Sequence, residues 1–386
     1  MVNVFFYAIL IFGSLLLPQR AIRFAPETID SLPVDGKALA IGDVDGDGKL
    51  DILVAAPHRV AWYRNGDWKR FTMVEDPYRT FENLAVRDID GDGTVEVAVS
   101  VSPTARHPGG LAEPTICYLT PPANPTRPWT STVVDQGYPV QQIRWVDTGE
   151  GNHQLVVLPV SPTSDDRTPH YLRAYEKPTD THGNWKRRLI KQPMPQAYNL
   201  EVYNYADGEV CYVVGDSGVM GFRFKSGQWT RNAADWLARG RILHDAKVGT
   251  IVSRNTHAFA AFEPDNVLTI YSPGITDSLM LYNTIGRRVL ERELAGGRGL
   301  AMTDFIGLER EQVVAGWQEP DRNGRSGIKL YVPFNRYWEA IDVYWIDTEM
   351  VCEDLLVADM DNDGKPDIVA LGNATHGLKV YWNRNE

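Results

Sequence analysis

Cysteine is scarce in this chain: three in 386 residues, Cys117, Cys211 and Cys352, far apart and each in an apolar or strand-like stretch. So few, at such spacing, exclude a disulfide-stapled small scaffold, and buried free thiols are expected. Long amphipathic helical periods are nearly absent, which leaves short strands as the building unit. No basic stripe interrupts the net charge of −11, so nothing would release phosphate counterions and nucleic acid is not a partner. A Gly-rich phosphate loop, a Ser-His-Asp order and a run with zinc-ligand spacing are also missing. The one long apolar run, residues 4–17 (VFFYAILIFGSLLL), is short for a bilayer span. It reads as the core of a signal peptide over residues 1–21, cut after Ala21, although no Lys or Arg precedes it and Gln19 stands where a small residue is preferred. A retained membrane anchor is the alternative. The absence of a cysteine just after the run argues against a lipoprotein.

What the chain does have is acid in clusters. GDVDGDGKLDILVAA (42–56) crowds Asp43, Asp45, Asp47 and Asp51 into nine residues and then turns apolar. Four like charges this close call for a hard cation, and Ca²⁺ takes six to eight oxygen ligands. Asp at positions 1, 3, 5 and 9 and the carbonyl of Lys49 at position 7 would supply most of them. Gly46 and Gly48 let the backbone wrap an ion, since glycine reaches positive φ without a side-chain clash. Position 12 is Val54 within a β-branched run, so neither an EF-hand nor a dockerin fits; the loop joins two strands. The pattern returns as Asp88, Asp90, Asp92, Thr94 and Glu96, and as Asp359, Asp361, Asp363, Lys365 and Asp367. About three Ca²⁺ ions are expected. These loops carry twelve carboxylates, so much of the net negative charge is a metal signature.

Degraded copies of the loop fill the gap between the second and third. WVDTGEGNHQLVVLP (145–159) keeps Asp147 and Glu150, and YNYADGEVCYVVG (203–215) shortens around Asp207 and Gly208. DAKVGTIVSRNTHAFAAF (245–262) keeps Asp245, and TDFIGLEREQVVAGW (303–317) keeps Asp304. An aromatic strand followed by a Trp-led strand runs in step with them. Seven units result, at propeller-blade spacing, each read as strand A, acidic loop, strands B and C, a tight turn and strand D. The expected fold is all-β: a seven-bladed β-propeller of four-stranded antiparallel blades over residues 22–386, with Ca-binding A-to-B loops. RFAPETID (23–30) reads as an outermost strand that completes the last blade as a clasp, and the eleven Trp as packing residues between blades.

These loops, with the strands that follow them, resemble FG-GAP or VCBS repeats, which occur in the integrin α propeller and in many secreted bacterial proteins. The segment MVCEDLLVADMDNDGKPDIVALGNATHGLKVYWNRN further resembles the closing blade of the propeller domain of aldos-2-ulose dehydratase and its bacterial relatives, enzymes of 1,5-anhydrofructose and related dicarbonyl sugars. That resemblance rests on Cys352-Glu353-Asp354, Ala374-Thr375-His376 and Ala315-Gly316-Trp317. It also implies histidines near the channel that this chain lacks. Gly296-Gly297-Arg298-Gly299, Glu263-Pro264-Asp265-Asn266 and Tyr138-Pro139-Val140-Gln141 stand in their places, and no cupin domain is present.

Ligands are expected on the loop face opposite the calcium sites, where the B-to-C and D-to-A loops gather. His376 is the first candidate, as a catalytic base or ligand contact, with a satisfied turn histidine as the alternative. Glu353 is the second catalytic candidate, and Arg298, His107 and His58 are the ligand-binding ones. Glu353 and Arg298 follow D strands and should point to the channel mouth, where an ion pair between them is the alternative. The expected function is a secreted, periplasmic or cell-envelope module, calcium-stabilised, that binds a glycan or protein. The alternative is a lyase or isomerase of anhydro- or keto-sugars, a carbon–oxygen lyase of the dehydratase type.

Overall fold

The computed structural model describes residues 22–31, 36–104, 113–160, 170–179, 183–194, 196–253, 256–273, 285–335, 337–372 and 377–385. The expected signal peptide therefore lies outside the described residues. Among them no helix is long and apolar enough to cross a membrane.

Among the described residues, twenty-six strands form six antiparallel sheets. β1 (Phe24–Asp30) stands apart in sequence. β2 (Ala38–Gly42), β3 (Asp51–Tyr63), β4 (Arg70–Arg87), β5 (Glu96–Pro103), β6 (Thr115–Thr120) and β7 (Thr130–Gln136) share one sheet. β8 (Val140–Gly149), β9 (Asn152–Pro159), β10 (His170–Glu176) and β11 (Lys186–Met194) form the next. Then come β12 (Ala197–Tyr205), β13 (Gly208–Gly215), β14 (Gly218–Lys225) and β15 (Gln228–Leu237). β16 (Asp245–Ser253), β17 (Thr256–Glu263), β18 (Val267–Pro273) and β19 (Ile285–Glu291) make a fourth sheet. β20 (Gly297–Thr303), β21 (Gln312–Trp317), β22 (Gly327–Pro333) and β23 (Ile341–Asp347) make a fifth. The last holds β24 (Cys352–Ala358), β25 (Asp367–Gly372), β26 (Leu378–Asn383) and, added at its outer edge, β1.

The fold is a β-propeller of four-stranded antiparallel blades. Phe24 pairs with Asn383 and Thr28 with Lys379, so the first strand closes the last sheet as the sequence suggested. The clasp gives β26 a hydrogen-bonded neighbour on the edge it would otherwise leave unpaired. Six sheets, however, stand where the sequence led to the expectation of seven. The reason is continuity of the backbone: the first two sequence units run together through β3 and β4, of 13 and 18 residues.

The inner strands touch in a ring: β2 on β4, β4 on β8, β8 on β12, β12 on β16, β16 on β20, β20 on β24 and β24 back on β2. The core lies between neighbouring sheets. Val314, Ile328 and Leu330 of one sheet meet Leu355, Ile368, Ala370 and Tyr381 of the next. A second strand such as β21 is sandwiched on both faces, which explains why QVVAGW is buried at every position rather than at alternate ones. Trp62, Trp317 and Trp338 are fully buried and Trp129, Trp145 and Trp185 nearly so, as packing residues should be. Removing a ring of that size costs about 3–5 kcal/mol. The three cysteines are free and buried. Gly299 and Gly316 are needed where they stand, because a Cβ on either would come within 2.8 Å of the Cys352 Sγ.

Candidate metal loops and channel site

The inner strand β2 joins two candidate sites. β2 starts at Ala38 on the wall of a central cavity and ends at Gly42, where the first acidic loop begins. At about 3.3 Å per residue the two ends lie roughly 15 Å apart.

In the first loop Asp43, Asp45 and Asp51 converge, with one oxygen of each within 4.8 Å of the others. The same holds for Asp88, Asp90 and Glu96, and for Asp359, Asp361 and Asp367. These are positions 1, 3 and 9 of each loop. The position-1 carboxylate organises the turn: Asp43 accepts hydrogen bonds from the N–H groups of Gly46 and Gly48, both at 2.8 Å. Those two glycines have φ of 75° and 81°, as the wrapping of the loop demands. The position-9 carboxylate is buried and accepts from the chain on both sides. Asp51 takes the N–H of Val44 at 2.9 Å and of Asn65 at 2.8 Å, and Asp367 takes Met360 at 3.0 Å and Asn383 at 2.7 Å.

The position-5 carboxylates lie outside the converging sets. Asp47, Asp92 and Asp363 each accept the N–H of the position-7 residue, Lys49, Thr94 or Lys365, at 2.8–2.9 Å. Burial pushes the carboxyl of Asp51 up to about 7 and that of Asp367 up to about 6, and raises Glu96 as well. Asp45 is raised by burial and then by the charges of Asp47 and Asp43. Its Oδ1 is buried without a hydrogen-bond partner. An uncompensated carboxylate oxygen among carboxylates fits a bound hard cation, and the all-oxygen donor set suits Ca²⁺.

The degraded copies differ from one another. Asp147, Glu150 and Asp207 sit in or beside tight turns between β8 and β9 and between β12 and β13. Asp245 is no loop remnant, contrary to the sequence reading. It stands at the opposite, channel end of β16, because the turn into β17 comes only after Ser253. Asp304 keeps the loop frame, accepting the N–H groups of Leu308 and Glu309. There Gln312 occupies position 9 and takes the N–H of Phe305 at 2.7 Å, as Asp51 takes that of Val44.

At the channel end lies a cavity of about 250 Å³ whose wall draws on β2, β4, β8, β12, β16, β20 and β24. It is mostly polar: Lys37, Asn83, Gln141, Arg144, Asn199, His244, Asp245, Lys247, Arg298, Glu353 and Asp354 line it, with Ala38, Leu300 and Leu355 as its apolar part. Two sequence candidates, Arg298 of β20 and Glu353 of β24, line this cavity together. Burial raises Glu353, against the pull of Arg298 and Lys37, and Gln318 donates to its carboxylate. Asp354 and Asp245 are likewise raised by burial. Asp354 accepts the N–H of Leu39 at 2.9 Å, and Lys247 pairs with Glu201 at 2.7 Å.

His58 is not part of this wall. It is exposed at a bend of β3 with φ of 72°, its Nδ1 3.1 Å from the carbonyl oxygen of Arg79. His107 and His376 lie outside the described residues. Sequence reasoning missed Lys37, Asp245, Lys247 and Asp354, and it also missed His244, an imidazole on the channel wall where none was expected. The signal was their place within the first residues of each inner strand, which only an alignment of the units to one another brings out.

Residues 43–99 match the FG-GAP-like repeat family. Comparison with curated proteins finds no match. Among solved structures, BBS1N in complex with ARL6DN is similar with a TM-score of 0.53 at 12% identity, over 94% of this chain and 97% of that one. The WD40 domain of SCAP from fission yeast is similar with a TM-score of 0.50 at 8% identity, over 93% and 98%. The extracellular domain of a B. thetaiotaomicron protein named as hybrid two component system BT4673 has a TM-score of 0.53 at 12% identity, over 93% of this chain and 40% of that one. At such identities the likeness is one of fold.

Proposed function

We propose that this protein is an exported, calcium-stabilised β-propeller that binds a polyhydroxylated ligand, a carbohydrate, at the channel mouth. The observation that carries the reading is the cavity of about 250 Å³ walled mostly by polar side chains on or beside the inner strands. A wall of mixed sign, dense in amides, carboxylates and cations, offers paired donors and acceptors to hydroxyl groups, and a rigid closed ring holds them in place. Ca²⁺ would be held by Asp43, Asp45 and Asp51, by Asp88, Asp90 and Glu96, and by Asp359, Asp361 and Asp367. Asp47, Asp92 and Asp363, with the carbonyls of Lys49, Thr94 and Lys365, would complete the shells. The ion's part is to neutralise these clusters and fix the ends of the second strands.

The same reading counts seven blades. β2 pairs only with residues 51–55 of β3, and β4 pairs only with residues 57–63. Likewise residues 70–80 of β4 face β3 and residues 79–87 face β5. Each long strand is thus two blade strands joined at a bend, and the six-stranded sheet is two blades.

A second reading, proton transfer on a keto- or anhydro-sugar, is favoured by Glu353 alone, whose carboxyl is raised by burial within reach of the cavity. Calorimetry with a panel of neutral oligosaccharides and keto-sugars, with and without EDTA, tests both. Saturable binding that Arg298→Ala weakens, without a change in melting temperature, supports the binding module. Dehydration of a keto-sugar by the wild type, abolished in Glu353→Gln, replaces it with the enzyme. No binding by any member of the panel sinks the carbohydrate reading.

A further inference from the structure

The three acidic loops are not equivalent, because among the described residues only the second has a cation bridging two of its converging carboxylates. Lys177 follows β10 in the neighbouring sheet, yet its Nζ lies 3.5 Å from Glu96 Oε1 and 3.6 Å from Asp90 Oδ2. It thereby bridges two of the three carboxylates that converge in the second loop. Its stem runs beside Tyr118, with the ammonium 5.3 Å from the ring centre. Among the described residues no lysine or arginine lies within ion-pair distance of Asp43, Asp45 or Asp51 in the first loop; there Lys49 reaches only Asp47, at 3.8 Å. In the third loop Arg384 touches Asp361 at 3.0 Å and then Asp363 at 3.8 Å, the latter outside the converging set.

We propose that Lys177 is a resident counter-cation of the second loop, which makes that loop the weakest calcium site of the three and couples its occupancy to the contact between two sheets. This rests on the calcium reading given above. A divalent ion held by Asp88, Asp90 and Glu96 and an ammonium bridging two of them repel each other at a few ångströms, so the ion binds only as the lysine withdraws. Lysine suits such a role, being a compact charge on a flexible four-carbon stem. Withdrawal has somewhere to go, because Lys177 also borders a pocket of about 640 Å³ that includes Glu150, His153 and Phe224. Without calcium the ammonium offsets part of the loop's negative charge and ties it to the sheet of β8–β11. With calcium that tie is released.

The test isolates the second loop with Asp45→Asn and Asp361→Asn, which impair the first and third, and titrates Ca²⁺ calorimetrically with and without Lys177→Met. The variant lacking the ammonium should bind roughly tenfold tighter or more. A second measurement needs only the wild-type chain: acylation of Lys177 by an amine reagent, followed by mass spectrometry, should quicken severalfold when saturating Ca²⁺ is added. Equal affinity with and without the lysine, or unchanged labelling while the first and third loops bind calcium, overturns this inference alone. Absence of calcium from all three loops overturns the calcium reading, and this inference with it.

Discussion

Gln312 Nε2 donates to Asp304 Oδ1 at 3.3 Å, so an amide nitrogen stands between the first and ninth positions of a loop that carries no acid at positions 3, 5 and 9. Its carbonyl oxygen meanwhile takes the N–H of Phe305, the bond that a carboxylate makes in the acidic loops. Gln312 thus keeps the backbone frame with an internal donor where the other loops would use a cation. Gln312→Glu should replace that donor with a second buried carboxylate beside Asp304. A buried like-charged pair without an ion costs about 2–5 kcal/mol. Thermal melts should show the loss at pH 8, unrelieved by Ca²⁺ and reduced near pH 4. Rescue by Ca²⁺ would mean that this loop can still be a metal site.

Asp45 is the opposite case, a carboxylate oxygen buried with no partner. Asp45→Asn should lower the melting temperature measured in saturating Ca²⁺, by about 1–3 kcal/mol in stability, because an ion that binds only the folded state stabilises it by mass action. In EDTA the sign should change. The substitution then relieves burial of a charge and its repulsion by Asp47 and Asp43, so the variant should be at least as stable as the wild type. Equal losses in Ca²⁺ and in EDTA would show that Asp45 serves the fold rather than an ion.

The position-9 carboxylates give the calcium-free protein a pH dependence. Burial pushes Asp51 up to about 7 and Asp367 up to about 6, against the backbone N–H groups that each accepts. Unfolded, both titrate near 4. A folded pKa above the unfolded one means tighter proton binding in the folded state. The stability so contributed is fully present below about pH 4 and is lost as pH rises through the folded values of about 6 and about 7. Melting temperature in EDTA should therefore fall more steeply between pH 5 and 8 in the wild type than in Asp51→Asn. Parallel slopes would remove Asp51 as their source.

Much of this was legible in the sequence because it rests on local chemistry. Glycine-spaced carboxylates followed by β-branched residues specify a turn into a buried strand, and Gly46 and Gly48 took up the positive φ that this requires. The number of separate sheets was not legible, because whether a chain bends or breaks at Pro57-His58 depends on pairing with β4, a contact between distant residues. The role of Lys177 was hidden for the same reason, since its partners Asp90 and Glu96 belong to another unit. Asp245 misled because one acid in a strand sequence does not tell which end of the strand faces the loops.

Where the first strand closes the last sheet, one glycine allows a close backbone approach. Gly377, just before β26, has φ of 64°, and a Cβ there would lie 1.9 Å from the carbonyl oxygen of Asp30 at the end of β1. Asp30 in turn accepts from Tyr63 Oη at 2.8 Å and from Arg70 at 3.0 Å, so the same residue fastens the clasp to the following unit. Gly377→Ala would force β1 away from β26 or strain the turn. A cost of about 1–3 kcal/mol is expected, with amide exchange quickening in β1 before it quickens in the fully paired β13. Gly151→Ala is the control. Its φ is 74° and nothing lies within 4 Å of the added carbon, so only the cost of the left-handed backbone, about 1 kcal/mol, should appear. If both variants lose the same stability and β1 exchanges no faster, the clasp does not hold through Gly377 and Asp30. A larger loss in Gly377→Ala, confined to β1 and β26 in exchange, identifies this contact as the latch of the ring.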